Sequence, residues 1–203
     1  MYCQGGNNLS RKVLWETQGR VAIIQLSNSP YNCVDDQFLQ DFDRTLDEIE
    51  LSKDIRGLVI LSSNNKFFAI GKNGGRKSDE DHEEDLLYKI LKKLTLYSLP
   101  TISIISGTAI GTGLEIALAC DLRISSEFSK FGFYSHISPS SIGKECLIEL
   151  TSPSKAKELI WLGQLIGAQE AVDIGIINRI FPDSRLINEG VEMVNSIIQQ
   201  KNY

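Results

Sequence analysis

The sequence predicts an α/β fold, because short apolar runs typical of strands alternate with runs of helical periodicity along the chain. The clearest example is central: an apolar run over residues 101–106, a glycine-rich turn over 107–113, a helical run over 114–120 and a second strand-like run over 121–125. Strand, turn, helix and strand make a βαβ unit. Such units place loops and helix N-termini where ligands bind, so this segment is the predicted functional centre.

Further strands and helices alternate in the rest of the chain. A hairpin pattern covers residues 12–16 and 20–26. A helix is predicted over 37–51, with Asp35 or Asp36 as its cap and an apolar stripe that faces the core. The remaining predicted elements are strands over 56–61, 67–70 and 177–181 and helices over 86–96, 144–150, 154–162, 168–174 and 184–199.

Length and composition favour one soluble domain over residues 1–203, with a loose tail over 1–10. Hydrophobic residues make up 42% and charged residues 23% of the chain, which is ordinary for a globular protein. A net charge of −5 gives no general attraction for nucleic acid or an anionic membrane. No apolar run approaches the ~20 residues of a membrane span, so we expect a cytoplasmic protein without membrane partners.

The sequence predicts no metal or nucleotide site. The four cysteines, Cys3, Cys33, Cys120 and Cys146, are scattered, which indicates reduced thiols and no zinc site. The segment over 71–84 is charged and glycine-rich, which predicts a mobile surface loop. The Gly-Lys pairs at 71–72 and 143–144 lack the earlier glycine of a phosphate loop, and position 116 lacks the third glycine of a dinucleotide turn.

One carboxylate, Glu115, lies near the start of the central helix. A helix start offers unpaired N–H groups and a partial positive field that can hold a developing oxyanion, and glycines allow a close approach. Apolar surroundings disfavour the ionised form of a carboxyl group, which suits it to proton transfer. A favourable interaction with the helix dipole would also explain this position, so the residues by themselves leave both interpretations open.

The string over residues 107–125 resembles the signature of the crotonase superfamily, the enoyl-CoA hydratase and isomerase group. Segments over 26–32 and 68–73 resemble the first turn and first oxyanion loop of that family, and segments between 168 and 182 resemble its late helix and strand. The resemblance covers about residues 13–182. It implies the ClpP/crotonase-like fold, which is a spiral of repeated ββα units.

The resemblance implies an acyl-thioester enzyme of the hydratase or isomerase type, acting on coenzyme A or carrier-protein thioesters without a covalently bound cofactor. The backbone N–H groups of Lys72 and Thr112 would hold the thioester oxygen as an enolate develops, with Glu115 as the acid/base. The residues expected to line the substrate and coenzyme A site are Ala69, Ile70, Gly71, Asn73, Gly111 and Gly113. The family also implies a homo-oligomer, a trimer or a hexamer.

The resemblance is incomplete at the second catalytic carboxylate of the hydratases, where this sequence has Ser135. Hydration uses one carboxylate to activate water and a positioned acid to protonate carbon, so three outcomes stay open. Glu115 by itself could move a proton between carbons, as an isomerase does. The site could instead serve decarboxylation, with Tyr134 or His136 protonating the enolate, or hydrolysis, and Ser135 is a further candidate catalytic residue. The chain could also bind acyl-CoA, or assemble with other chains, without catalysis.

Family members usually continue with further helices after the strand predicted here over 177–181. Those helices complete the acyl pocket and help trimers pack, whereas a single helix is predicted after that strand in this sequence. We therefore expect the acyl end of the site to be open or to be closed by another subunit.

Overall fold

The computed structural model describes residues 11–71, 86–135 and 138–201. Its strands are β1 Val13–Gln18, β2 Val21–Leu26, β3 Cys33–Val34, β4 Gly57–Ser62, β5 Phe67–Gly71, β6 Thr101–Ile105, β7 Thr108–Ile110, β8 Leu122–Ser126, β9 Lys130–Gly132, β10 Ile166–Gly167 and β11 Arg179–Phe181. Its helices are α1 Asp36–Glu50, α2 Leu86–Thr95, α3 Thr112–Leu118, α4 Ser141–Leu150, α5 Pro153–Leu162, α6 Ala168–Asp173 and α7 Asp183–Lys201. The predicted tail and nearly all of the predicted surface loop lie outside the described residues.

Six strands form the main sheet, in the order β1-β2-β4-β6-β8-β11. The first two strands are an antiparallel hairpin with Gly19 at φ +62° in its turn, and each later pair of neighbours is parallel. The central strands β4 and β6 are buried along almost their whole length. Burial on both faces explains why they appear in the sequence as continuous apolar runs.

Five short strands form a second sheet, in the order β10-β9-β7-β5-β3. Strands β3, β5, β7 and β9 run parallel to one another. Along the chain, each comes directly after one strand of the main sheet: β3 after β2, β5 after β4, β7 after β6 and β9 after β8. A helix then follows each pair: α1 after β3, α2 after β5, α3 after β7 and α4 after β9. Within the described residues the ββα unit therefore recurs four times, which is the spiral that the resemblance implies.

Helix α1 begins where its cap predicts. The Asp35 carboxylate accepts a hydrogen bond from the Phe38 N–H, with 2.9 Å between nitrogen and oxygen. The apolar stripe of the helix, which includes Phe42, Leu46 and Ile49, is fully buried in the core. Local sequence signals and tertiary packing agree at this element.

Helices cover both faces of the main sheet. On one face, α7 packs Val191, Val194 and Ile198 against sheet residues that include Val59 and Ile102. On the other face lies the larger core, to which α1, α2, α3 and the second sheet contribute. None of the helices in the described ranges is both long enough and apolar enough to cross a bilayer.

The structure adds short strands that the sequence pattern does not predict. Strand β7 lies inside the segment predicted as a glycine-rich turn, and β3, β9 and β10 have two or three residues each. A strand of this length is too short to show a periodicity of its own. Pairing with neighbours in the second sheet therefore defines these strands.

Candidate active site

The glycine turn between β7 and α3 is held in place by the backbone on both sides. Gly111 has φ +57° and ψ −126°, a conformation that favours glycine. Its N–H donates to the carbonyl oxygen of Gly132 at 3.0 Å, and its own carbonyl accepts the N–H of Glu115 at 3.0 Å. Helix α3 thus starts at the edge of the second sheet where its parallel strands have their carboxyl ends.

The first amide of α3 belongs to Thr112, and it faces the end of β5. A Cβ placed on Gly71 would lie 2.7 Å from the Thr112 nitrogen, so the two backbones are in contact. The first amides of a helix have no partner within the helix. Within the part of the chain that the structure describes, the Thr112 N–H donates no hydrogen bond. Lys72, the second predicted donor, directly follows Gly71 and lies outside the described residues.

The contact between α3 and β5 depends on a second glycine. A Cβ on Gly113 would lie 2.0 Å from the carbonyl oxygen of Ala69, so any larger residue would push the helix away from the strand. Ala69 is buried and Ile70 is half-buried. Asn73, which was also expected to line the site, lies outside the described residues. Gly113 therefore has a packing role that is independent of its predicted role in binding.

Glu115 is buried, with 2% of its surface exposed, and its carboxylate faces the start of α4. Its Oε2 accepts the backbone N–H of Ser140 at 2.7 Å and also the Ser140 hydroxyl. A Cβ on Gly143 would lie 2.4 Å from the same oxygen. Burying a carboxylate is costly unless it receives hydrogen bonds, and Ser140 provides two of them.

The residues predicted near the missing second carboxylate lie in different surroundings. The ring of Tyr134 packs against Gly111, 3.3 Å from where a Cβ of that glycine would lie. Burial, and to a smaller extent the Cys33 thiol, raise the pKa of Tyr134, so its phenol is protonated at neutral pH. Ser135 is exposed and contacts Gly163, the C-cap of α5. His136 lies outside the described residues.

Ser140 and Gly143 are the site residues that sequence reasoning missed. Ser140 is the N-cap of α4, and its hydroxyl oxygen accepts the Gly143 N–H at 3.0 Å. A serine before an apolar run is a recognisable cap signal. Its contact with Glu115 joins residues 25 positions apart, and no local pattern predicts such a contact. Across the described ranges, no group of three or more histidine, cysteine, aspartate and glutamate side chains could hold a metal ion.

Comparison with known proteins identifies the family. A sequence model of the enoyl-CoA hydratase/isomerase family matches residues 16–203. The chain therefore belongs to the enoyl-CoA hydratase/isomerase family, within the crotonase superfamily. This result confirms the resemblance noted in the sequence.

Individual relatives agree with this membership. The chain is 29% identical over 195 residues to a short-chain-enoyl-CoA hydratase of Clostridium acetobutylicum, an alignment that covers 92% of this chain and 75% of the relative. It is 31% identical over 187 residues to the putative enoyl-CoA hydratase/isomerase YngF of Bacillus subtilis, covering 87% and 72%. The solved structure of an enoyl-CoA hydratase from Bacillus anthracis matches with a TM-score of 0.84 at 26% identity, covering 92% of this chain and 76% of that one. The crotonase fold is confirmed.

Proposed function

We propose that the protein acts on an acyl-CoA thioester by stabilising its enolate. The thioester oxygen would lie at the backbone N–H groups of Thr112 and Lys72, and Glu115 would exchange protons with the substrate carbon. The observation that carries this proposal is the juxtaposition of the helix-start amide of Thr112, which has no hydrogen-bond partner among the described residues, with a buried carboxylate on the same helix. The choice of an acyl thioester as the substrate class is supported by membership of the family.

The chemistry follows from the position of Glu115 three residues after Thr112. Residues three apart lie on the same side of a helix, so the carboxylate and the amide can face one ligand. The Glu115 carboxylate takes a proton from the carbon next to the thioester carbonyl, and the electron pair of that C–H bond moves onto the carbonyl oxygen. The amides stabilise the resulting oxyanion, each by about 2.7–4 kcal/mol. Return of the proton at a different carbon gives an isomerised thioester.

The serine at position 135, where hydratases of the family have their second acid, favours this proton shuttle over hydration. Hydration needs one group to activate water and another to protonate carbon. At the position of the second acid, Ser135 is exposed against Gly163 and carries no ionisable group. We therefore propose isomerisation in preference to hydration.

Decarboxylation is the second candidate function, and Tyr134 favours it. Its protonated phenol packs beside Gly111, next to the proposed oxyanion hole. Loss of carbon dioxide from a malonyl-type thioester breaks a C–C bond and leaves the electron pair in the enolate. The Tyr134 proton would then be transferred to carbon, and solvent would reprotonate the phenolate.

A screen of coenzyme A thioesters tests the proposal. Crotonyl-, 3-enoyl- and malonyl-type thioesters separate hydration, isomerisation and decarboxylation in one experiment. Glu115→Gln keeps the shape of the side chain and removes the base, so we expect kcat to fall about 10²–10⁴-fold on the best substrate. Glu127→Gln, at an exposed turn position, is the matched control and should keep the wild-type rate. A Glu115→Gln variant with full activity would contradict the assignment of the base.

The expected homo-oligomer and cytoplasmic location remain predictions. Trp161 and Leu162 at the end of α5 are 69% and 57% exposed, and such apolar side chains are common at subunit interfaces. Light scattering of the purified protein would give its mass directly. A monomer at micromolar concentration would contradict the prediction of an oligomer.

A further inference from the structure

Ser140 lies between Glu115 and the first turn of α4, and it contacts both. It is buried, with 6% of its surface exposed. Its backbone N–H donates to the Glu115 Oε2 at 2.7 Å, and its hydroxyl donates to the same oxygen. Its hydroxyl oxygen also accepts the Gly143 N–H at 3.0 Å. One residue therefore links the carboxylate to the start of a helix.

These contacts fix the direction of the Ser140 hydroxyl proton. A serine hydroxyl has one proton to donate and two lone pairs. The Gly143 amide supplies its own proton, so the Ser140 proton is free for the Glu115 carboxylate. Oε2 thus receives two hydrogen bonds from the same residue.

Capping of α4 by itself does not require this arrangement. Serine, threonine, aspartate and asparagine all serve as N-caps, because each accepts an N–H from the first turn. Ser152, the N-cap of α5, accepts the Lys155 N–H at 3.2 Å in that ordinary way. Ser140 differs because its proton goes to a buried carboxylate.

Gly143 restricts the same carboxylate from a second direction. A Cβ at this position would lie 2.4 Å from Oε2, 2.6 Å from Cγ and 2.8 Å from Cδ of Glu115. The Glu115 side chain thus fills the space that a side chain at position 143 would need. Two positions of the first turn of α4 determine where the carboxylate can lie.

We propose that Ser140 is a positioning residue for the proton transfer by Glu115, an inference that rests on the function proposed above. By holding Oε2, Ser140 fixes the plane of the carboxylate and the direction from which it meets the substrate carbon. Proton transfer depends steeply on that geometry, and a displacement of about 1 Å can cost about 10²-fold in rate. The effect should fall on kcat, because Ser140 holds the base and not the substrate.

Ser140→Gly is the decisive variant. Glycine keeps the backbone N–H and is nearly as good an N-cap as serine, so the substitution removes the hydroxyl at little cost to α4. We expect kcat on the best thioester to fall about 10–100-fold with KM within about twofold of wild type. Ser140→Thr restores a hydroxyl and should recover most of the rate. Ser152→Gly is the matched control, an N-cap serine that donates to no carboxylate among the described residues, and should keep the wild-type kcat.

The outcomes separate the positioning role from the proposed function. If Glu115→Gln loses activity while Ser140→Gly behaves like Ser152→Gly, the positioning role is wrong and the function stands. If Glu115→Gln keeps the full rate, the proposed function is wrong in assigning Glu115 as the base. If no thioester is converted, a crystal structure of Ser140→Gly decides the role of the hydroxyl. A displaced Glu115 carboxylate would support positioning, and an unmoved one would overturn it.

Discussion

Replacing Thr112 by proline tests the backbone amide on which the proposed oxyanion hole depends. Thr112 is the first residue of α3, the position where proline is best tolerated, because its amide has no partner within the helix. The residue before a proline avoids the α-helical region, and Gly111 at ψ −126° already lies outside it. The substitution therefore deletes one N–H donor without breaking a hydrogen bond among the described residues.

The expected magnitude follows from the loss of one donor. Removing a single oxyanion-hole donor costs about 2.7–4 kcal/mol, which is about 10²–10³-fold in kcat. Thr112→Ala is the matched control, because it removes the side chain and keeps the amide. The side chain of Thr112 is half-buried and makes no hydrogen bond with another described residue, so alanine should change kcat by less than about threefold.

The assay is steady-state kinetics on the best thioester found in the screen, with thermal unfolding of each variant in parallel. We expect Thr112→Pro to fold and to lose at least about 10²-fold in kcat, with a lower unfolding temperature because the proline ring would contact Gly71 at the end of β5. A folded Thr112→Pro variant with kcat close to wild type would refute the oxyanion hole. Equal losses in the proline and alanine variants would assign the effect to the side chain instead of the amide.

Three further predictions concern the packing of buried residues, and Gly167→Ala serves as the control for the first of them. Gly113→Ala should lower the free energy of unfolding by about 1–3 kcal/mol, because its Cβ would lie 2.0 Å from the Ala69 carbonyl oxygen. Gly167→Ala is its control, because a Cβ there meets nothing within 4 Å, and it should leave the urea midpoint unchanged. Equal midpoints for the two variants would contradict the close contact between Gly113 and Ala69. Arg123→Met should cost about 3 kcal/mol in urea unfolding, because the buried guanidinium donates to backbone carbonyls that methionine leaves unpaired; an unchanged midpoint would argue against this. Gly143→Ala should reduce kcat as Glu115→Gln does, because its Cβ would displace the Glu115 carboxylate. The loss is expected although alanine usually stabilises a helix. A Gly143→Ala variant with the full rate would show that the carboxylate can move without loss of activity.

The elements that sequence predicted well carry their own local signals. Helix α1 has an acidic cap at Asp35 and a helical stripe of large apolar residues, and the structure places its start within one residue of the prediction. The hairpin β1–β2 and the buried strands β4 and β6 are recognisable from composition. These features depend on neighbours in the chain, and a single sequence contains all of that information.

The start of α4 shows why other features were not predictable. The helix was expected over 144–150, but it begins at Ser141 and includes Gly143, although glycine is a poor helix former. In the structure, that glycine is required by the Glu115 carboxylate beside it. The reason for the residue lies in a different ββα unit, so no local pattern could supply it. The same holds for Ser140, whose cap signal is local and whose contact with Glu115 is not.

The repeat itself explains how the proposed hole arises. Strands β5 and β7 are parallel neighbours in the second sheet, so their carboxyl ends meet at one edge. Gly71 ends the first of these strands and Gly111 follows the second, and the absence of side chains lets the two backbones touch. Helix α3 starts at that edge, and its first amide is left without an intrahelical partner by the geometry of any helix. Successive ββα units thus bring the ends of two chain segments together, and the third unit adds the carboxylate of Glu115 beside them. The fourth unit contributes Ser140 and Gly143, which determine where that carboxylate can lie.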